Sequence, residues 1–203
     1  MGSGFNNGMI NPSLKGCVYA VEAKGIDRDR HANSFGTFRA QQQPPLINCA
    51  MNVTLNHAPN LTQRPPRSPR VRLGGYVVLA RILDKGRAEL AGTAGEFKYN
   101  NPGDYHWFRF TGITPQALKA QLATGKGDGE MLTWIEQNAP NKHTPWEIQQ
   151  WSMYFSERGP DSDAETLEFF AKRVGEFSKS REDVKTWFDL LDLDDHVTFG
   201  GKA

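Results

Sequence analysis

From Leu73 to the C-terminus, apolar residues recur every three or four positions, the spacing of one face of an α-helix. The first such segment, residues 73–91 (LGGYVVLARILDKGRAELA), is apolar on nearly every side up to Leu83 and has Gly92 as its stop. Two later segments open with the same device. Thr114 precedes Pro115, and Thr144 precedes Pro145 with Glu147 three residues on; the threonine hydroxyl accepts a free backbone N–H, and proline has none to lose. Between them, DGEMLTWIEQNA is closed by Pro140, and the aromatic stretch DYHWFRFTG reads as a short buried helix. Near the end, Ala164, Leu167, Ala171 and Val174 form one stripe, and Val184, Trp187, Phe188 and Leu191 form another, each expected to face the core. Phe97 and Tyr99 alternate as in a brief strand or extended turn before Pro102 and Gly103. The prediction is an all-α fold, a compact bundle of about six helices with one short extended segment near residues 96–100.

The first fifty residues carry no such periodicity and are rich in Gly, Asn, Gln and Pro (GSGFNNG, QQQPP). Residues 1–58 are therefore expected to be a disordered N-terminal extension, or partly the product of a start assigned upstream of Met51, and residues 59–203 a single helical domain. With 24 Lys+Arg against 23 Asp+Glu, the net charge of +1 supplies no global field for a polyanion. Both cysteines, Cys17 and Cys49, precede Ala50, which argues against a disulfide framework or a Cys-ligated metal in the helical part. No apolar run reaches membrane-spanning length and no secretory signal is evident, so a cytoplasmic protein without a membrane partner is expected.

Several segments invite a chemical reading and fail it. ATGKGDGE has Ala120 and Gly127 where a phosphate loop needs Gly and Ser/Thr, so it is read as a turn. DLLDLDDH gathers Asp189, Asp192, Asp194, Asp195 and His196 but lacks the alternating order of a calcium loop; these acids, at a helix C-terminus that disfavours them, are expected to find basic partners. His106, His143 and His196 lack metal-ligand spacing, and no metal or cofactor is predicted. Trp134, Trp146, Trp151 and Trp187 are read as core anchors, with Trp146 or Trp151 able to reach a groove.

The segment RPPRSPRVRLGGYVVLARILDKGRA poses the main question. Its basic lead-in has no interleaved aromatic residue, so nucleic acid is not the expected partner. Within the apolar helix, Arg81, Asp84 and Lys85 stand at i, i+3 and i+4 and are expected to project from one side, with Arg87 three residues after Asp84. Buried charges must pair, reach a cleft or meet a ligand. One assignment ties them to the acidic C-terminal helix through Asp189 and Asp192. Another is a cleft beside the helix 73–91 for a small anionic ligand or an acidic protein partner. There Arg67, Arg70, Arg81, Lys85 and Arg87 donate, Asp84 orients them, and Tyr99, Asn101 and Asp104 form the opposite wall. A third is an enzyme of unassigned reaction with Asp84 or Asp104 as acid or base and Lys85 or Tyr99 assisting; no catalytic residue follows from spacing alone.

The stretches PRSPRVRLGGYVVLARILDKGRA, GEFKYNNPGD, GKGDGEMLTWI, TPWEIQQW and RGPDSDAETLEFFA together resemble a bacterial family catalogued as domain of unknown function 5069, from about Leu61 to the C-terminus. The resemblance implies a small cytosolic protein and transfers no reaction. It also implies Cys-Pro where this chain has Asn101-Pro102, a departure that weakens any role for a thiol in that turn.

Overall fold

The computed structural model describes residues 58–203; the expected extension over 1–58 lies outside them save for Ala58. Among the described residues there are seven helices and no strand: α1 (Leu79–Leu90), α2 (Pro102–Thr111), α3 (Pro115–Leu122), α4 (Asp128–Asn138), α5 (Pro145–Ser156), α6 (Ala164–Phe177) and α7 (Trp187–Thr198). The all-α expectation holds, with seven helices rather than about six. Of the brief strand or extended turn expected near residues 96–100, the strand is absent: Phe97 and Lys98 are irregular between turns at residues 95–96 and 99–100.

The first helix begins at Leu79, not Leu73, for a backbone reason. Gly74 and Gly75 have φ of 59° and 84°, and Leu73 and Tyr76 exchange backbone hydrogen bonds of 2.9 and 3.1 Å across them. Consecutive left-handed residues make a tight reversal that a helix cannot contain. Ser152 of α5 clamps this turn, donating to the Gly75 carbonyl (2.9 Å) and accepting from the Val77 N–H (3.3 Å).

α1 is the axis of the fold. Every residue from Leu79 to Ala88 is buried, and Leu79, Ile82 and Leu83 join Trp107 of α2, Leu118 and Leu122 of α3, Met131 and Ile135 of α4, Phe155 of α5 and Phe188 of α7 in one core. Gly86 lies within this helix, where glycine costs about 0.5–1 kcal/mol relative to alanine. Its use is steric: a Cβ there would sit 2.5 Å from Leu122 Cδ1 and 3.2 Å from the Tyr99 ring.

The expected caps are present. The Thr114 hydroxyl accepts from the Ala117 N–H (3.2 Å), Thr144 and Glu147 form a reciprocal capping box, and Asp163 caps α6 by accepting from the Thr166 N–H (2.8 Å). The stripe expected to bury α6 is displaced around the helix. Ala164, Leu167 and Ala171 are exposed; Phe170 is buried, and Val174 and Phe177 pack with it against Val184, Leu190 and Leu193. The i, i+4, i+7 set of larger side chains wins because it removes more apolar surface from water. Of the tryptophans expected to anchor the core, Trp134, Trp151 and Trp187 pack partly buried against it, whereas Trp146 is 67% exposed; Trp107 is the fully buried one.

Gly86→Ala is expected to destabilise the fold by about 1–3 kcal/mol in urea unfolding, because overpacking against the buried Leu122 outweighs the gain in helix propensity.

Candidate functional site

The charges of α1 divide between two places. On one side, Asp84 accepts three bonds from Arg67: the backbone N–H (2.9 Å), Nε (2.9 Å) and Nη2 (2.7 Å). Arg67 Nη1 goes on to Asp128 Oδ2 (2.6 Å), while Arg87 Nη1 reaches Asp128 Oδ1 (2.6 Å) and its Nη2 the Lys126 carbonyl (3.1 Å). Asp128 opens α4, where the helix macrodipole favours a carboxylate. Burial alone would raise its pKa; the bonds from Arg67 and Arg87 outweigh that and hold it below the ordinary carboxylate value. The GKGDG turn thus serves as the frame for this carboxylate.

On the other side, Arg81 and Lys85 reach different acids. Arg81 binds Asp195 of α7 through Nη1 (2.6 Å) and Nη2 (3.0 Å), a two-point guanidinium–carboxylate contact. Burial, with added repulsion from Asp194 and Asp192, nevertheless pushes the Asp195 carboxyl up against the pull of Arg81. Lys85 Nζ lies 2.6 and 2.7 Å from the two oxygens of Asp104, and both residues are only 1% exposed. Asp104 is also the third residue of α2. Its backbone N–H donates to Asn101 Oδ1 (3.0 Å), and its carboxylate accepts from the Asn101 N–H (3.3 Å), a capping box that holds the acid in place. Burial draws the Lys85 ammonium below its ordinary pKa; Asp104 opposes this and the Arg81 charge adds to it.

A cavity of about 320 Å³ adjoins these two pairs. Its apolar wall is Val78, Phe155, Phe169, Trp187, Phe188 and Leu191; its polar lining is Arg81, Lys85, Asn101, Asp104, His106 and Arg158. Burial, then the charges of Arg158 and Arg109, lower the pKa of His106, so its ring is neutral at neutral pH and Nε2 accepts from Arg158 Nη1 at 3.4 Å. Arg158 also pairs with Asp161 (3.0 Å). Val78 carries a φ of 62°, and the Leu79 N–H donates to the Val77 carbonyl (2.8 Å) around it. A β-branched residue in that conformation is strained by about 1–3 kcal/mol, and such strain is often found where a site is being shaped.

Of the nine residues predicted to form one cleft, Arg81, Lys85, Asn101 and Asp104 line this cavity. Asp84 orients neither Arg81 nor Lys85; its side chain bonds to Arg67, and Arg87 is directed to Asp128. Arg70 lies at the surface, paired with Asp189 and, at 3.4 Å, with Asp192 of α7. The anticipated link to those two acids therefore exists through Arg70, whereas α1 itself uses Asp195. Tyr99 turns away, donating its hydroxyl to the Pro115 carbonyl (2.8 Å) and packing edge-on against Phe108. Sequence reasoning missed His106, Arg158 and the aromatic wall, which come from four helices and the turn after α5. The only sequence signal was a histidine and aromatic residues at helical positions, shared with any core.

The profile of a family described as domain of unknown function (DUF5069) matches residues 63–197. The chain belongs to this family. Every residue lining the cavity, from Val78 to Leu191, falls inside the matched DUF5069 stretch, as do both charge clusters of α1. No curated protein matches the chain.

Two outcomes test this electrostatic frame. In chemical denaturation, Asp104→Ala is expected to cost about 3–5 kcal/mol by leaving Lys85 buried and unpaired, whereas the Lys85→Met/Asp104→Asn double variant stays close to the parent. The stability supplied by Asp128, whose folded pKa lies below its unfolded value of 3.8, is fully present above that value and lost as pH falls through the folded pKa. The difference in unfolding free energy between the parent and Asp128→Asn should therefore shrink on acidification below pH 3.8.

Proposed function

We propose that this DUF5069 domain binds a small molecule combining an apolar body with one anionic group, in the cavity between α1, α2, α5, α6 and α7. The observation that carries this reading is the imbalance of charge on an otherwise apolar wall. Three cations, Arg81, Lys85 and Arg158, line the cavity against one carboxylate, Asp104. Asp195 and Asp161, the partners of Arg81 and Arg158, do not line it. The first turn of α2, at Pro102 and Gly103, adds the positive end of a helix macrodipole.

Each of these cations already has a carboxylate partner, but a guanidinium offers five N–H donors, more than one carboxylate fills, so an anionic group would add charge-assisted hydrogen bonds there. The aromatic residues supply area for an apolar body, the usual composition of a small-molecule site. Internal ion pairing by itself accounts for Arg67, Asp84, Arg87 and Asp128, which saturate one another. It gives no reason for cations to converge on an aromatic cavity.

Thermal-shift titration is expected to show stabilisation by 3-phenylpropanoate and none by 3-phenylpropanamide. Arg158→Gln is expected to weaken binding of the carboxylate by about tenfold or more, the worth of one charge-assisted hydrogen bond. Equal responses to acid and amide would overturn the reading.

A further inference from the structure

Lys85 has a geometry that simple anion binding does not use. Arg81 and Arg158, each with a carboxylate placed away from the cavity, suffice to hold an anionic group. The Lys85 amine, in contrast, is paired with a single acid that lines the same cavity, at 2.6 and 2.7 Å from its two oxygens. Asp104 is held beside the amine by its capping box with Asn101.

We infer that Lys85 captures the carbonyl carbon of an apolar oxo acid as an imine, with Asp104 taking and returning the proton and the carboxylate of the compound resting on Arg81 and Arg158. The inference rests on the binding reading above and names the class of compound: a 2-oxo acid, or an aldehyde acid, with an aromatic or branched aliphatic body.

The steps balance. A proton moves from Lys85 Nζ to Asp104 across the short bond, which leaves two neutral groups and removes two buried charges. The nitrogen lone pair then attacks the carbonyl carbon, the C–O π pair moves to oxygen, and a proton of the resulting ammonium moves to that alkoxide, giving a carbinolamine. Asp104 returns its proton to the hydroxyl, water leaves, and a protonated imine remains beside the regenerated carboxylate. The net change is ammonium plus carbonyl to protonated imine plus water, with no oxidant or reductant consumed. Desolvation favours the neutral amine before attack, as in other lysines that act as nucleophiles, and the neighbouring Arg81 charge works in the same direction.

The test is reductive trapping of the full chain with phenylpyruvate and sodium borohydride, read by intact mass and peptide mapping. The expected result is one reduced adduct on the peptide containing Lys85, absent when borohydride is omitted and suppressed by excess 3-phenylpropanoate. Mapping on the unaltered protein places the label even if Lys85→Arg fails to fold. Asp104→Asn is expected to slow labelling by about 100-fold, the scale of a lost acid–base group. No adduct, or label only on exposed lysines such as Lys142 and Lys172, overturns the inference. If 3-phenylpropanoate raises the melting temperature while Lys85 stays unlabelled, only the imine falls; if neither compound has an effect, the binding reading falls with it.

Discussion

A helix buried from Leu79 to Ala88 cannot carry four ionisable residues in that stretch unless each finds a counter-charge, and α1 carries Arg81, Asp84, Lys85 and Arg87 there. Removing one partner of a buried pair typically costs about 3–5 kcal/mol, a large part of the total stability of a domain this size. The surroundings of α1 are accordingly organised by its charges as well as by its leucines. Arg67 brings the proline-rich lead-in against Asp84, Asp128 brings the first turn of α4 to Arg67 and Arg87, Asp104 brings the cap of α2 to Lys85, and Asp195 brings α7 to Arg81.

These four acids are not equivalent, and helix ends account for much of the difference. Asp104 and Asp128 stand in the first turns of α2 and α4, where free N–H groups and the macrodipole favour a carboxylate. Asp195 stands in the last turn of α7, where the dipole opposes it, with Asp194 and Asp192 adding repulsion. Its two-point contact with Arg81 is thus held against an unfavourable field. Arg81 is one of three cations that line the apolar cavity, and its carboxylate partner does not line it.

Much of the helical layout was legible in the chain. Thr114-Pro115 and Thr144-Pro145 start helices because capping is a local hydrogen-bonding problem solved within four residues. The charged face of α1 was legible as an anomaly, since an apolar helix with interior charges is unusual whatever surrounds it. At two places more than one local structure satisfied the pattern. Gly74-Gly75 fits a helix interior by apolar spacing alone but forms a tight turn, and α6 has two apolar stripes of which only the bulkier one, with Phe170, is buried.

The candidate site was half legible: Lys85, Arg81, Asn101 and Asp104 were predicted and share the cavity, while Arg67, Arg70, Asp84, Arg87 and Tyr99 were grouped with them and lie elsewhere. Sequence by itself determined the helices, their caps and the requirement that the charges of α1 be matched, because these follow from periodicity and from the cost of burying an ion. Which acid matches which base, and that His106, Arg158, Phe155 and Trp187 meet beside Lys85, was decided only by tertiary structure. Residues 17 to 114 positions apart come into contact through the packing of whole segments, and no local spacing encodes that choice.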